Sequence, residues 1–199
     1  MHTLTPNEVT RQVLRLAERV APGQTPKFVD NNPYPGAVPS ECFGNVEAQV
    51  ARYGGQRVLG WTIWEWPNVL MEAEFHAVWK STEGTLLDIT PKADEESRIL
   101  FLPDPAATYC GNYVDNKRLA LRDDAVIVDF IRMSEEIFRL TRIGKPGQAV
   151  HLNKGEIVPI VKRLEYLGAM LKVGARDHDP CFCGSGKKYK KCHALKLRS

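Results

Sequence analysis

The spacing of hydrophobic positions predicts helices at both ends of the chain and a strand-rich middle. Apolar residues recur at three- and four-residue intervals over 4–20, 40–53, 123–142 and 154–173, which is the period of an amphipathic helix. Clusters of proline and glycine separate these segments, including a proline-rich loop over 30–39. We therefore expect two helices before residue 54 and two after residue 122.

The middle of the chain follows a different pattern. Residues 57–66 and 71–80 are rich in Val, Ile, Trp and Phe with partial alternation, which is typical of strands. The turn-like "STEGT" leads from the second segment into "LLDIT" at 86–90, so residues 71–90 form a hairpin candidate. A further strand is expected at 98–102, whereas 103–121 reads as a loop or one short strand. The predicted fold class is α+β, a central antiparallel sheet of three to five strands with flanking helices.

Three residues in this region have the order of a thiol-based catalytic site. Ser40 and Glu41 suit the start of a helix, so Cys42 is expected in its first turn, where the helix dipole favours a thiolate. His76 falls in a predicted strand and Asp88 follows a tight turn. An imidazole can deprotonate a thiol, and a carboxylate can fix the imidazole tautomer. The candidate catalytic residues are thus Cys42, His76 and Asp88.

The length of the hairpin loop decides whether two of these residues meet. If "TEG" at 82–84 is a three-residue loop with Gly84 in the left-handed conformation, Asp88 lies diagonally across from His76 on the same face. A loop of two or four residues would place them on opposite faces.

Each candidate also has an ordinary structural interpretation, because a helical cysteine often packs in the core and a strand histidine is often simply buried. Two hypotheses remain for this region: a cysteine-dependent acyl-transfer or amide-cleaving enzyme, and a binding domain without catalysis. The order of Cys, His and Asp is similar to papain-like and transglutaminase-like enzymes, in topology alone. That resemblance implies that Cys42 attacks an acyl carbon, His76 transfers the proton and Asp88 orients His76.

Composition and charge separate the end of the chain from the rest. With 199 residues and 43% hydrophobic content, the chain suffices for one main domain, predicted over 1–174. No apolar run is long enough for a membrane span or a signal peptide, which predicts a cytoplasmic protein without membrane insertion. Residues 181–199 carry six basic and no acidic residues, whereas the preceding 180 carry 21 basic and 24 acidic residues. The tail should therefore meet an acidic partner.

The stretch "DPCFCGSGKKYKKCHA" at 179–194 has the spacing of a metal site. Cysteines this close in sequence favour a metal over disulfides in a reducing compartment, and zinc prefers four sulfur or nitrogen ligands in a tetrahedron. The turn "GSG" lets the two ligand pairs meet. We expect residues 175–180 to form a linker and 181–199 a module with one structural Zn²⁺. Its predicted ligands are Cys181, Cys183, Cys192 and His193.

This stretch resembles the SEC-C motif, the zinc-binding element at the carboxyl end of the SecA preprotein translocase ATPase. Phe182 stands where proline is commoner in the motif. The resemblance implies a docking module whose partner is a SecB-like chaperone, the ribosome or ribosomal RNA. The predicted partner-binding residues are Lys187, Lys188, Tyr189, Lys190 and Lys191. The substrate, the oligomeric state and the role of Cys110 are left open by the sequence.

Overall fold

The helices and strands follow the predicted division of the chain. A computed structural model describes residues 3–92, 96–145, 148–149 and 151–196. Its elements in chain order are α1 (Arg11–Val20), β1 (Lys27–Asn31), α2 (Cys42–Tyr53), β2 (Gln56–Trp66), β3 (Leu70–Lys80), β4 (Leu86–Asp88), β5 (Arg98–Pro103), β6 (Lys117–Ala120), α3 (Ala125–Thr141), α4 (Lys154–Lys172), a 3₁₀ turn (Tyr189–Lys191) and α5 (His193–Lys196). The predicted α+β class is confirmed. Of the predicted module at 181–199, residues 197–199 lie outside the described part.

The strands form one six-stranded sheet in the order β2-β5-β1-β4-β3-β6. An additional β2–β3 pairing joins the two sides, so that five of these strands close into a barrel-like ring. All pairings are antiparallel except that of β1 with β4, which is parallel. The expectation of three to five antiparallel strands missed β1, which is short and runs directly into the proline-rich loop.

The β3–β4 hairpin has the loop that the sequence predicts. Ser81 N–H donates to Thr85 O at 2.8 Å, leaving residues 82–84 as the three-residue loop, and Gly84 has a φ of 90°. Trp79 then pairs with Leu87, so Asp88 lies diagonal to His76. β4 pairs with the end of β3 while β6 pairs with its beginning, at residues 70–73. The intervening part of β3 carries His76.

Two helix starts differ from the prediction. α1 begins at Arg11, capped by the Thr10 hydroxyl, because Leu4 instead pairs with Glu65 through two backbone hydrogen bonds of 2.8 and 2.9 Å. Ser40 is not the N-cap of α2, since it has a φ of 64° and the cap position falls on Glu41, which makes no side-chain cap bond. Cys42 is nevertheless the first residue of the helix.

Helices cover the sheet on separate surfaces. α1 buries Val13 and Leu16 in a cluster with side chains of β2, β3 and β5. α2 packs through Val46 against Ala77. α3 and α4 pack together over a cluster that includes Trp66 and Leu70. The start of α2 is thereby placed beside the middle of β3.

Candidate functional site

Cys42, His76 and Asp88 come together where the start of α2 meets the β3–β4 hairpin. His76 Nε2 lies 3.0 Å from Asp88 Oδ1, so the hydrogen bond expected from the hairpin is present. The Cys42 thiol lies close enough to the same imidazole to raise the pKa of His76. The three residues are 7%, 5% and 0% exposed, respectively, which excludes most water from their contacts. A thiol, an imidazole and a carboxylate thus form one connected chain.

The charges in this chain stabilise one another. Burial acts to lower the pKa of His76, but its hydrogen bonds to Asp88 and Cys42 outweigh burial and raise the pKa to about 9. Burial acts to raise the pKa of Asp88, yet the hydrogen bond and charge of His76, aided by Lys92, hold that pKa below its usual range. The geometry therefore favours an imidazolium and a carboxylate in contact.

Asp88 is held by more than His76. Lys92 Nζ lies 3.1 Å from Asp88 Oδ2, and Asn31 Nδ2 donates to the same oxygen at 3.0 Å. The backbone N–H of Thr90 donates to Oδ1 at 3.2 Å. A carboxylate with this many donors keeps one orientation, so the ring of His76 is oriented as well.

Asn45 ties the loop before Cys42 to the segment after Asp88. Its side-chain amide both accepts from Val38 N–H and donates to Val38 O, each at 2.8 Å, and donates to Thr90 Oγ1 at 3.2 Å. The sequence analysis did not single out this residue. The sequence signal that points to Asn45 is its position three residues after Cys42, which places a polar amide on the same face of the helix as the cysteine.

A cavity of about 690 Å³ opens beside this chain of residues. Phe43, which follows Cys42 in sequence, stacks on Tyr109 with ring centroids 3.7 Å apart and an interplanar angle of 10°. Phe75, which precedes His76, lies 5.6 Å from Phe43. Burial, followed by the charges of Cys42 and Glu41, raises the pKa of Tyr109. The cavity is within the size range of small-ligand sites.

The second site is the cysteine and histidine cluster at the end of the chain. One ligand atom from each of Cys181, Cys183, Cys192 and His193 lies within 4.8 Å of all the others. Individual separations are 3.0 Å between Cys181 Sγ and His193 Nδ1 and 3.5 Å between the Sγ atoms of Cys183 and Cys192. A tetrahedral metal with bonds of about 2.3 Å to sulfur needs ligand separations of about 3.8 Å. The cluster is compatible with a metal ion held by these four atoms.

The backbone around the cluster is the predicted tight turn. Gly184 and Gly186 have φ values of 72° and 68°, a conformation that favours glycine. Cys181 N–H donates to Lys187 O at 2.7 Å, which closes the turn. His178, the other histidine close in sequence to these cysteines, does not join the cluster; its side chain is 52% exposed beside Asp177. Cys110 is exposed and lies apart from the cluster as well.

Tyr189 does not belong to the exposed partner surface that the sequence suggested. Its side chain is fully buried among residues of α3 and α4, and its hydroxyl donates to Asp129 Oδ2 at 2.7 Å. Burial and this bond raise the pKa of Tyr189. The four predicted partner-binding lysines remain exposed, although Lys190 lies 3.8 Å from Asp177. Of the five predicted partner-binding residues, only the four lysines are therefore exposed.

Comparison with protein families identifies the end of the chain. The family model described as SEC-C motif matches residues 179–195, which contain all four residues of the cluster. The chain therefore carries a SEC-C motif whose three cysteines and one histidine form a cluster that could hold a metal ion. Comparisons with curated proteins and with solved structures give no significant match, so the similarity to papain-like enzymes gains no support from them. No helix within the described residues is both long and apolar enough to cross a membrane.

Proposed function

We propose that this protein is a thiol-dependent acyl-transfer or amide-cleaving enzyme that uses Cys42, His76 and Asp88. The observation that carries the proposal is the buried His76–Asp88 hydrogen bond, with the thiol of Cys42 beside this imidazole on the first residue of a helix. Buried ionisable groups with this connection suit nucleophilic catalysis, in which a base activates the nucleophile and a third group orients the base. A cysteine used only for packing has no need of a carboxylate that orients a neighbouring histidine.

The geometry assigns one role to each residue. His76 Nε2 is hydrogen-bonded to Asp88, so Nδ1 is the ring nitrogen available to the Cys42 thiol. In the reactive pair the thiol proton has already passed to His76; Cys42 Sγ then attacks the acyl carbon, and the leaving group departs with the proton that His76 returns. A thioester on Cys42 then passes its acyl group to water or to an amine, again with His76 as the base. The peptide N–H groups at the start of α2, which have no partner within the helix, are assigned to stabilise the oxyanion that forms.

The test is the rate at which Cys42 reacts with iodoacetamide near neutral pH, followed by site-resolved mass spectrometry. We expect His76→Ala to slow alkylation of Cys42 by at least about tenfold, because no imidazolium then holds the thiol proton and stabilises the thiolate. Asp88→Asn should slow it less, since the base remains but loses its orientation. Exposed Cys110 serves as the internal control. Equal rates at Cys42 in all three proteins would refute the proposal.

The metal of the SEC-C motif is proposed to be Zn²⁺. Three thiolates and one imidazole are the ligand set that zinc prefers, and four protein ligands leave no position for a reacting water. Hydrogen bonds from the hydroxyl and backbone of Ser185 lower the pKa of Cys183 to about 7, which favours the thiolate that a metal needs. The ion would hold the tail in its fold rather than take part in the reaction.

A docking role for the motif is the second proposed function, favoured by the exposed lysines around the cluster. Lys187, Lys188 and Lys191 project from one short turn, and the segment has no carboxylate of its own. Such a surface suits an acidic partner, for which a SecB-like chaperone and the ribosome, with its RNA, are the candidates. The motif would then bring the enzyme to its site of action in the cytoplasm.

Charge reversal tests the docking role. The variant Lys187→Glu with Lys188→Glu should bind purified ribosomes or SecB-like chaperone at least about fivefold more weakly, with a smaller dependence on salt. The matched control is Lys162→Glu with Lys172→Glu, which reverses two exposed charges on α4 outside the motif. Equal losses in both variants, or binding to neither partner by the unaltered chain, would contradict docking through this surface.

A further inference from the structure

The cavity beside Cys42 has walls formed by the sequence neighbours of the proposed catalytic residues. Glu41 and Phe43 flank Cys42, and Glu74 and Phe75 precede His76; all four line the cavity. Cys42 and His76 themselves are not among the lining residues, so the cavity lies next to the reacting atoms rather than over them. A space in this position suits a part of the substrate that is bound while another part reacts.

Carboxylates outnumber cations around this cavity. Its lining includes Glu41, Glu72, Glu74 and Asp115 against Arg118 and Arg142. Arg118 is shared between two of the carboxylates, at 2.8 Å from Glu72 Oε1 and 3.2 Å from Asp115 Oδ1. Glu74 accepts a hydrogen bond from the neutral indole of Trp64 at 2.8 Å, which leaves its charge uncompensated. Glu41 and Glu74 are both exposed to the solvent of the cavity.

Three aromatic residues form an aromatic wall that also lines the cavity. Phe43, Phe75 and Tyr109 pack as a connected group, with the Phe43 and Tyr109 rings stacked in parallel. Aromatic faces attract cations and also cover the methylene stems of lysine or arginine. A cavity lined by both apolar rings and excess carboxylate matches a long side chain that ends in a positive charge.

We propose that this cavity binds a lysine or arginine side chain of a polypeptide substrate, adjacent to the acyl group that Cys42 attacks. The inference rests on the proposed function for its reaction, but the cavity's preference for cations is measurable without catalysis. The substrate class is then a basic peptide segment. Glu41 and Glu74 recognise the positive charge of its lysine or arginine, and the aromatic wall contacts the methylene stem of that side chain.

Charged thiol reagents measure this preference at Cys42 directly. In a Cys110→Ser background, Cys42 is modified with a cationic and an anionic methanethiosulfonate of similar size. The ratio of the cationic to the anionic rate at Cys42 is then divided by the same ratio measured with free cysteine. We expect the cationic reagent to be favoured at least about tenfold, since a negative surface potential of several kT attracts the cationic reagent and repels the anionic one. Glu41→Gln with Glu74→Gln should reduce this preference at least about threefold. Glu47→Gln, an exposed carboxylate elsewhere on α2, is the matched control.

Peptide protection identifies the occupant. Acetyl-Ala-Lys-Ala-amide should slow iodoacetamide modification of Cys42, whereas the matching norleucine and glutamate peptides should not. Spermidine, as a separate arm, distinguishes a small polyamine from a lysine-bearing peptide, and protection by spermidine alone would overturn the assignment to a polypeptide. A reagent preference equal to that of free cysteine, or unchanged in the double variant, would overturn the cationic subsite itself. If the preference is found but His76→Ala leaves alkylation unchanged, the proposed reaction fails and the cation site stands.

Discussion

At the scale of single residues, the central feature is a buried histidine that is more basic than an exposed one. Burial normally favours neutral imidazole, but the contacts of His76 with Asp88 and Cys42 reverse that preference and bring its pKa to about 9. The ordinary value is 6.5, so the folded protein binds a proton at His76 that the unfolded chain releases over the intervening pH range. Stability is therefore linked to pH through this one residue.

The first prediction concerns the free energy of unfolding between pH 6 and 10. Because the folded pKa of His76 is raised, its contribution is complete below about pH 6.5 and is lost as pH rises through about 9; a shift of this size corresponds to about 3 kcal/mol. The difference in unfolding free energy between the unaltered chain and His76→Gln, measured in urea, should decline over this range. Taking the difference cancels the titration of the metal cluster. A difference that stays constant with pH would contradict the prediction.

At the scale of elements, α2 and the β3–β4 hairpin must keep a fixed relation for the three residues to meet. Asn45 supplies the connection, since it holds Val38 in the loop before the helix and reaches Thr90 beyond β4. Thr90 N–H in turn donates to Asp88. The side chain of Asn45 is buried, so water cannot replace these bonds without opening the structure.

The second prediction is that Asn45→Ala lowers both stability and reactivity. Removal of the amide leaves the N–H and C=O of Val38 without their partner, which should cost about 2 kcal/mol in unfolding free energy. Cys42 alkylation should also slow, because the start of α2 is no longer held against the hairpin. Glu47→Ala, an exposed position on the same helix, should change stability by less than about 0.5 kcal/mol. Unaltered alkylation in a destabilised Asn45→Ala protein would show that Asn45 does not position Cys42.

Much of this arrangement could be predicted because it depends on local rules. Alternation and turn chemistry gave the β3–β4 hairpin, and the loop length then brought His76 and Asp88 to one face. That Ser40 does not cap α2 could not be predicted, since the loop before the helix is held by the contacts of Asn45 with Val38 and with distant Thr90. β1 was missed for a similar reason: its five residues become a strand by pairing with β4 and β5, which lie far along the chain.

At the scale of the whole molecule, the SEC-C motif is packed against the core instead of projecting from it. Cys181, Tyr189 and Ala194 are buried in the same cluster as Phe130 of α3 and Leu167 of α4. Phe182 packs its ring on Tyr166 of α4 at a centroid distance of 3.5 Å. A linker at 175–180 and a separate module stay a prediction of domain organisation, but these contacts couple the fold of the motif to that of the helix pair.

That coupling leads to the third prediction, which concerns removal of the metal. The purified chain should contain about one zinc per molecule, and Cys181→Ser with Cys192→Ser should abolish binding. Without the ion, the turn that buries Tyr189 loses its closure, so its hydrogen bond to Asp129 should open and amide hydrogen exchange should rise in α3 and α4.

The β2–β3 pair is the internal control for this experiment. Away from Trp66 and Leu70, which pack with α3 and α4, its contacts lie within the sheet and with α1 and α2, so exchange over residues 57–63 and 73–79 should change little when the metal is removed. Cys110→Ser, which removes an exposed thiol outside the cluster, should retain the metal and the exchange pattern of the unaltered chain. Because α3 also forms part of the wall of the cavity beside Cys42, a rise confined to residues after 176 would show that the motif folds independently and that the ion exerts no influence on the proposed catalytic region.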